Sequence, residues 1–157
     1  MGYYEQKAKR AYEHYKKGIP MKNVYGAVEK DGKYLCLQHE GEGKDKYSIA
    51  GGGIDDGEDV VNAIKRELLE EMNIHVDFVK SLGHAYWTVP WEYKGKKFDV
   101  KYDAEVVLTR FVKFGDNKKL GLDGEFKPDM VGIAEISKEE MLKEVAEFAR
   151  FGVKFED

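Results

Sequence analysis

The residues best placed to do chemistry are three glutamates, Glu67, Glu70 and Glu71, in the segment from Glu58 to Met72. If that segment is a helix, a turn of about 100° per residue gathers them within an arc of roughly 100°. Glu71 then falls between Val60 and Ile64, inside the arc that should be buried, and a buried carboxylate is costly unless it is paired or binds metal. The cluster also occupies the last two turns, where the helix macrodipole disfavours negative charge. As solvated acids beside Lys65 and Arg66 these residues would be unexceptional, but two local rules broken together favour a site. The simplest physical remedy for converging carboxylates is a hard divalent cation, Mg²⁺ before its substitute Mn²⁺. No His or Cys cluster stands beside them, which argues against zinc. Immediately upstream, Gly51-Gly52-Gly53 would let backbone carbonyls and amides approach an ion or a phosphate, although such a run also suits a tight strand-to-helix turn.

These groups need elements to hold them. Tyr4, Ala8, Ala11, Tyr12 and Tyr15 recur at helical spacing until Gly18-Ile19-Pro20, which predicts a helix over about 3–17 packed on the domain, its tyrosines used for core packing. Strands are expected over 22–30 and 33–38 around an Asp31-Gly32 hairpin turn, with Cys36 a small buried apolar residue. A polar loop from Glu40 to Lys46 leads through Tyr47 to the glycines. Val60, Val61, Ile64, Leu68 and Met72 give the next helix its apolar face, and Asn73 should stop it in the left-handed conformation. Ile74, Val76 and Phe78 alternate as a strand, and a second extended stretch covers about 84–93. After a turn at Lys94-Gly95-Lys96 come a return strand over 97–102 and a strand over 105–113 buried on both faces. A long flexible loop spans 115–128, a last strand 130–136, and Ser137 with Glu140 forms a capping box for a helix reaching about Phe151, with Met141, Val145 and Phe148 inward.

The 157 residues suit one domain, and 26 basic against 30 acidic side chains give a net charge of −4, which disfavours electrostatic binding of long nucleic acid. No apolar run is long enough to cross a bilayer, and the opening MGYYEQKAKR is too polar for a signal peptide, so a cytoplasmic protein without membrane contact is expected. The single cysteine excludes an internal disulfide framework and a multi-cysteine zinc site.

The segment Gly52 to Ile74, GGIDDGEDVVNAIKRELLEEMNI, closely resembles the Nudix box. Gly52, Glu58, Arg66, Glu67, Leu68, Glu70, Glu71 and Ile74 match in register, and the one departure is Asn73, where the family has Gly. The resemblance implies an α+β class chain with the Nudix fold, an α/β/α sandwich around a mixed sheet, formed by residues 1–157 as a single domain. It also implies Mg²⁺-dependent hydrolysis of a nucleoside diphosphate linked to another moiety, by water attack on phosphorus. By position, Glu67, Glu70, Glu71 and the carbonyl of Gly51 resemble the metal ligands, while Arg66 and Glu58 resemble supports that orient the glutamates. The base that takes the proton varies within the family; Glu67 is the first choice inside the box, and Asp129 and Glu125 are candidates outside it.

Specificity must come from elsewhere. Tyr86, Trp87, Trp91, Tyr93 and Tyr102 are dense enough to form a stacking wall, although most aromatics at strand spacing are core. Tyr47, Trp87 and Trp91, with His39 at a strand end near the expected site, are the substrate-binding candidates; His14, His75 and His84 read as structural. Lys44, Lys46, Lys118 and Lys119 read as solvated, with phosphate contact the sharper alternative. Pro90, sixteen positions after Ile74, resembles a marker of ADP-ribose pyrophosphatases and makes an ADP-ribose-like nucleotide derivative the best guess. The alternative is a non-catalytic Nudix-fold sensor module that binds a nucleotide without cutting it. An isomerase of allylic diphosphates is disfavoured by the absence of its cysteine and further metal-ligand signatures. The tyrosine-rich first helix offers a surface for a homodimer.

Overall fold

The computed structural model describes residues 2–39, 47–116 and 130–149. Helix α1 (Tyr3–Lys17) ends at Gly18, whose φ of 69° is the left-handed stop glycine favours. Strands β1 (Met21–Lys30) and β2 (Lys33–His39) are joined by Asp31 and Gly32. Both turn residues have positive φ, 51° and 81°, as a two-residue hairpin of the right twist requires. Short strands β3 (Tyr47–Ser48) and β4 (Ala50–Gly53) lead to helix α2 (Val60–Met72). Two long strands follow, β5 (Ile74–Tyr93) and β6 (Lys96–Phe114), then β7 (Met130–Ile136) and helix α3 (Lys138–Ala149).

The main path of the sheet runs β3-β2-β1-β6-β5, with β4 also paired to β1 and β7 to β2. The β1–β6 pairing is parallel and the others are antiparallel, so the sheet is mixed. Strand alternation sends Val24, Val28 and Val107 to one face, where they bury Ile64, Leu68 and Met72 of α2. Ala27 and Val106 point the other way and pack with Cys36 and with Met141 of α3. Farther along the β5–β6 hairpin, Ala11 of α1 is buried with Met21, Phe98 and Val100. Helices on both faces of a mixed sheet give the α/β/α sandwich that the resemblance implies. No helix among the described residues is long and apolar enough to cross a membrane.

Several expectations are corrected. The stretches over 74–78 and 84–93 form one strand, β5, and those over 97–102 and 105–113 form one strand, β6. Register shifts at His75/Val76, Phe78/Lys80 and Ser81/Gly83 break the alternation without breaking the pairing, and that break looks like a strand end in sequence. Helix α2 begins at Val60, not Glu58, because Asp59 caps it by accepting from the backbone N–H of Asn62 at 2.7 Å. The glycine run is a strand, not a turn. On α1, the rings of Tyr12 and Tyr15 pack at a tilt against Phe98, but Tyr4 is 80% exposed and takes no part in the core.

Asn73 stops α2 at φ 54°, ψ 44°, as its residue type leads one to expect, and it adds what glycine could not. Its side-chain amide donates to the carbonyl of Gly115 at 3.2 Å, while Gly115 N–H returns a bond to the Asn73 carbonyl at 2.7 Å. The helix stop is thereby tied to the end of β6. Ser137 Oγ accepts from Glu140 N–H at 3.1 Å, the expected capping box. Lys44, Lys46, Lys118, Lys119, Glu125, Asp129 and Phe151 lie outside the described residues.

Candidate active site

Strand β4 sets the geometry. Ile54 N–H donates to Lys22 O on β1 at 2.8 Å, so even-numbered residues here direct their backbone groups toward β1 and odd-numbered ones direct theirs to the opposite edge. That outer edge faces the C-terminal half of α2. Gly53 O accepts from Arg66 Nη2 at 2.9 Å, and Gly51 N–H donates to Glu71 Oε2 at 3.4 Å. Because a residue's N–H and C=O leave an extended strand on the same side, the Gly51 carbonyl belongs to this edge as well.

Side-chain directions along β4 alternate independently. Gly52 faces α2, and a Cβ there would lie 2.7 Å from both carboxylate oxygens of Glu67. The carboxylate therefore occupies space that only glycine leaves open. Glu67 is 4% exposed and its Oε2 is buried. This corrects the helical-wheel expectation: Glu67 is the deeply buried acid, and Glu71 is only half-buried. A wheel records the helix alone, whereas depth here is set by β4 crossing above the helix.

Arg66 organises the acids. Its Nε and Nη2 bond both oxygens of Glu58 at 2.9 Å, and its Nη1 lies 3.0 Å from Glu67 Oε1 and 3.2 Å from Glu70 Oε2. The two-pronged bond from Arg66 holds the Glu58 carboxyl below the usual carboxylate range. Glu58, followed by the charge of Glu67, in turn raises the guanidinium, which stays charged throughout. Asp55 N–H donates to Glu58 Oε1 at 3.1 Å and completes the brace from the loop before the helix.

Among the described residues no three acidic, histidine or cysteine side chains converge on one point at coordinating distance. Arg66 Nη1 lies within reach of one oxygen of Glu67 and one of Glu70. The donor set nevertheless fits a hard divalent cation: carboxylate oxygens of Glu67, Glu70 and Glu71, the edge carbonyl of Gly51, and a Cβ-free space over Gly52. Those residues could hold such an ion once side chains at this edge rearrange.

On the opposite face of the sheet lies an aromatic wall. Tyr25 is paired with Gly51 across the β1–β4 ladder, and the Tyr25 and Trp87 rings are 6.4 Å apart. Trp87 stacks nearly parallel to Tyr102 at 6.3 Å, with 11° between the planes. Burial raises the Tyr25 phenol above its ordinary value; a bond from Asn23 opposes this, and the charges of Glu71 and Glu67 add to it. The wall is thus within electrostatic reach of the acids. Tyr47 packs with Trp87 against the adjacent core. Trp91 packs near α1 and donates Nε1–H to the Tyr102 hydroxyl at 3.0 Å, so it is linked to the wall through that residue. His39 ends β2 across from Met130, one residue beyond the Gln38–Tyr47 pair that joins β2 to β3, and Asp129 is outside the described residues. Sequence reasoning missed Tyr25, which looked like an ordinary strand aromatic. Its one local signal was alternation with Asn23 just upstream of the box.

A NUDIX domain model matches residues 21–150 of the chain. The chain is 30% identical over 109 residues to the NAD-capped RNA hydrolase NudC of Vibrio parahaemolyticus, covering 69% of this chain and 41% of that protein. It therefore spans about two fifths of the curated relative's length. Among solved structures, a NUDIX hydrolase from Nitrosomonas europaea aligns with a TM-score of 0.55 at 24% identity, over 81% of this chain and 78% of its own. A UDP-X diphosphatase aligns with a TM-score of 0.50 at 15% identity, over 92% and 68% respectively. At such identities both likenesses speak to the fold alone. With the box in register, its glutamates gathered at the edge of β4 and most of the chain matched, the protein belongs to the NUDIX family of hydrolases.

Proposed function

We propose that this chain is a Mg²⁺-dependent pyrophosphohydrolase, with Mn²⁺ as a working substitute, that cleaves a nucleoside diphosphate linked to another moiety. The observation that carries the reading is the sealed Glu67 carboxylate beneath Gly52, flanked by Glu70 and Glu71 and braced by the Arg66–Glu58 pair. Burying a carboxylate in this way costs stability, and a structural domain gains nothing from it. Glu67, Glu70, Glu71 and the Gly51 carbonyl would hold the ion, which when bound supplies charge neutralisation of the diphosphate and a more acidic water. Arg66 fixes the glutamate rotamers, and Glu58 fixes Arg66. When water attacks phosphorus, a carboxylate takes its proton; Glu67 is the candidate among the described residues, and Asp129 and Glu125 are those outside them. Tyr25, Trp87 and Tyr102 offer ring faces to a base, and Tyr47 packs against the same core cluster as Trp87.

The test is incubation with Mg²⁺ and a panel comprising ADP-ribose, UDP-sugars, dinucleoside polyphosphates, nucleoside triphosphates and NAD, the last suggested by the name of the curated relative. At least one member should yield nucleoside monophosphate, with ADP-ribose the first expectation. Chelation should stop the reaction, and Mg²⁺ or Mn²⁺ should restore it. No turnover on any member would refute the enzyme reading and leave a nucleotide sensor.

A further inference from the structure

Helix α1 precedes the region that the NUDIX domain model matches, yet one of its side chains reaches the end of β4. Arg10 Nη2 donates to the carbonyl of Ile54, immediately after β4, at 2.6 Å. Its exposed neighbour Asp56 stands 3.7 Å away and contributes little holding energy. The bond to Ile54 fixes the plane of the guanidinium and sets its other prong over Gly53, where a Cβ would meet Arg10 Nη1 at 3.6 Å and Asn23 Oδ1 at 3.8 Å. Burial raises the Tyr102 phenol above its ordinary value, and the charge of Arg10 is among the groups that oppose this.

Alternation along β4 places Gly51 and Gly53 on this same face with Asn23 and Tyr25, their ladder partners. Gly51 lies under the Tyr25 ring, which a Cβ there would approach to 2.7 Å, whereas a Cβ at Gly53 would meet Arg10 and Asn23 only at ordinary contact distance, so the floor beneath Arg10 is the bare backbone of Gly53. Gly51 is also the residue whose N–H reaches Glu71. From Gly51 to Gly53 is roughly 6.6 Å at 3.3 Å per residue, a gap that a diphosphate spans between the outer oxygens of its two phosphoryl groups. A guanidinium held by one prong, with the other aimed over that floor, suits a phosphoryl oxygen.

We propose that Arg10 is a binding residue for the substrate, holding the phosphoryl group farther from the glutamates while the nearer one lies at the edge of β4. The inference rests on the pyrophosphohydrolase reading for the identity of the ligand, and it makes α1 part of the site. Arg10 then selects diphosphates over monophosphates, because only a diphosphate reaches both ends.

The experiment measures binding, not turnover. The full chain, in Mg²⁺, is titrated with ADP, AMP, UDP and UMP while tryptophan fluorescence is followed. Wild type should bind at least one diphosphate roughly tenfold or more tighter than its monophosphate, the scale of a charge-assisted hydrogen bond. R10Q should lose most of that ratio while monophosphate affinity changes little. If R10Q fails to fold, R10K carries the test: an ammonium is a compact charge without the rigid fork that separates the prong on Ile54 O from the prong over Gly53, so the ratio should fall there as well. No diphosphate preference in the wild type, or an unchanged ratio in a folded R10Q or R10K, overturns the proposal. A wild type that turns over nothing yet loses its diphosphate preference in R10Q would sink the hydrolase reading and leave Arg10 standing. Turnover with an unchanged ratio in R10Q would do the reverse.

Discussion

Gly52→Ala separates the stability of the fold from the placement of one carboxylate. The new methyl would lie 2.7 Å from Glu67 Oε1 and Oε2 and 2.8 Å from its Cδ. Ordinary contact begins near 3.4 Å, so the carboxylate must retreat by about 0.7 Å. It is the tip of a flexible side chain, which keeps the cost in stability near the low end of overpacking, about 1 kcal/mol. It is also enclosed and tied to Arg66 Nη1 at 3.0 Å, so the retreat moves it off the position that the brace maintains. A misplacement approaching 1 Å costs on the order of 100-fold in rate where geometry governs the chemistry. The expected outcome is a small drop in melting temperature, weaker binding of Mn²⁺ measured by electron spin resonance, and a turnover loss of roughly 100-fold. Full metal affinity and full turnover in a folded Gly52→Ala variant would show that Glu67 holds no metal, and the assignment of the site would go with it.

Gly26→Ala should show the complementary pattern, because a Cβ there meets Ile64 Cδ1 at 2.9 Å inside the core; unfolding in urea should register a loss of about 1–3 kcal/mol. Glu71→Gln should remove most of the turnover, by about 100-fold or more, with an unchanged circular dichroism spectrum, since Glu71 is only half-buried; retention of the full rate would exclude it as a ligand. Glu58 is held below its ordinary value of 4.5 by the bond from Arg66, so its contribution to stability is complete above 4.5 and lost as pH falls through its lower folded value. Urea denaturation followed from neutral pH into that acidic range should show the decline, and Glu58→Gln should lower stability at neutral pH and flatten this part of the profile. Asn73→Gly should leave stability within about 1 kcal/mol, because easier left-handed backbone offsets the lost bond to Gly115, whereas Asn73→Ala should cost roughly 1–2 kcal/mol in the same assay.

What could be read in the sequence followed local periodicity. The apolar face of α2, its stop at Asn73 and the Ser137–Glu140 cap depend on residues three or four apart, and each has the expected form. The unbroken lengths of β5 and β6 could not be read, because three register shifts interrupt the alternation while the ladder continues. Glu67 and Glu71 lie near one another on the wheel, and only a strand crossing above the helix distinguishes them. Arg10 looked like one charge on a polar helix face; its bond to Ile54 joins residues 44 apart, a relation no local pattern encodes. Tyr25 could not be told from a core aromatic until β4 placed Gly51 beside it.

The same strand explains why three consecutive glycines are needed, where a loop would explain only that they are tolerated. In an extended segment neighbouring residues differ both in the face their side chains take and in the edge their backbone groups address. Gly52 opens the α2 face to the Glu67 carboxylate, and its own peptide groups turn toward β1. Gly51 meets β1 so closely that a Cβ would strike Val24 O and come within 2.7 Å of the Tyr25 ring, while its N–H turns outward to Glu71. Gly53 leaves the floor beneath Arg10 clear and gives its carbonyl to Arg66. Each position thus serves one face with the side chain it lacks and one edge with its backbone. A flexible turn could offer the same atoms, but it would not hold their order. Pairing to β1 fixes that order, and through it the acids on one side of β4 and the aromatic wall and Arg10 on the other keep a constant separation without a side chain between them.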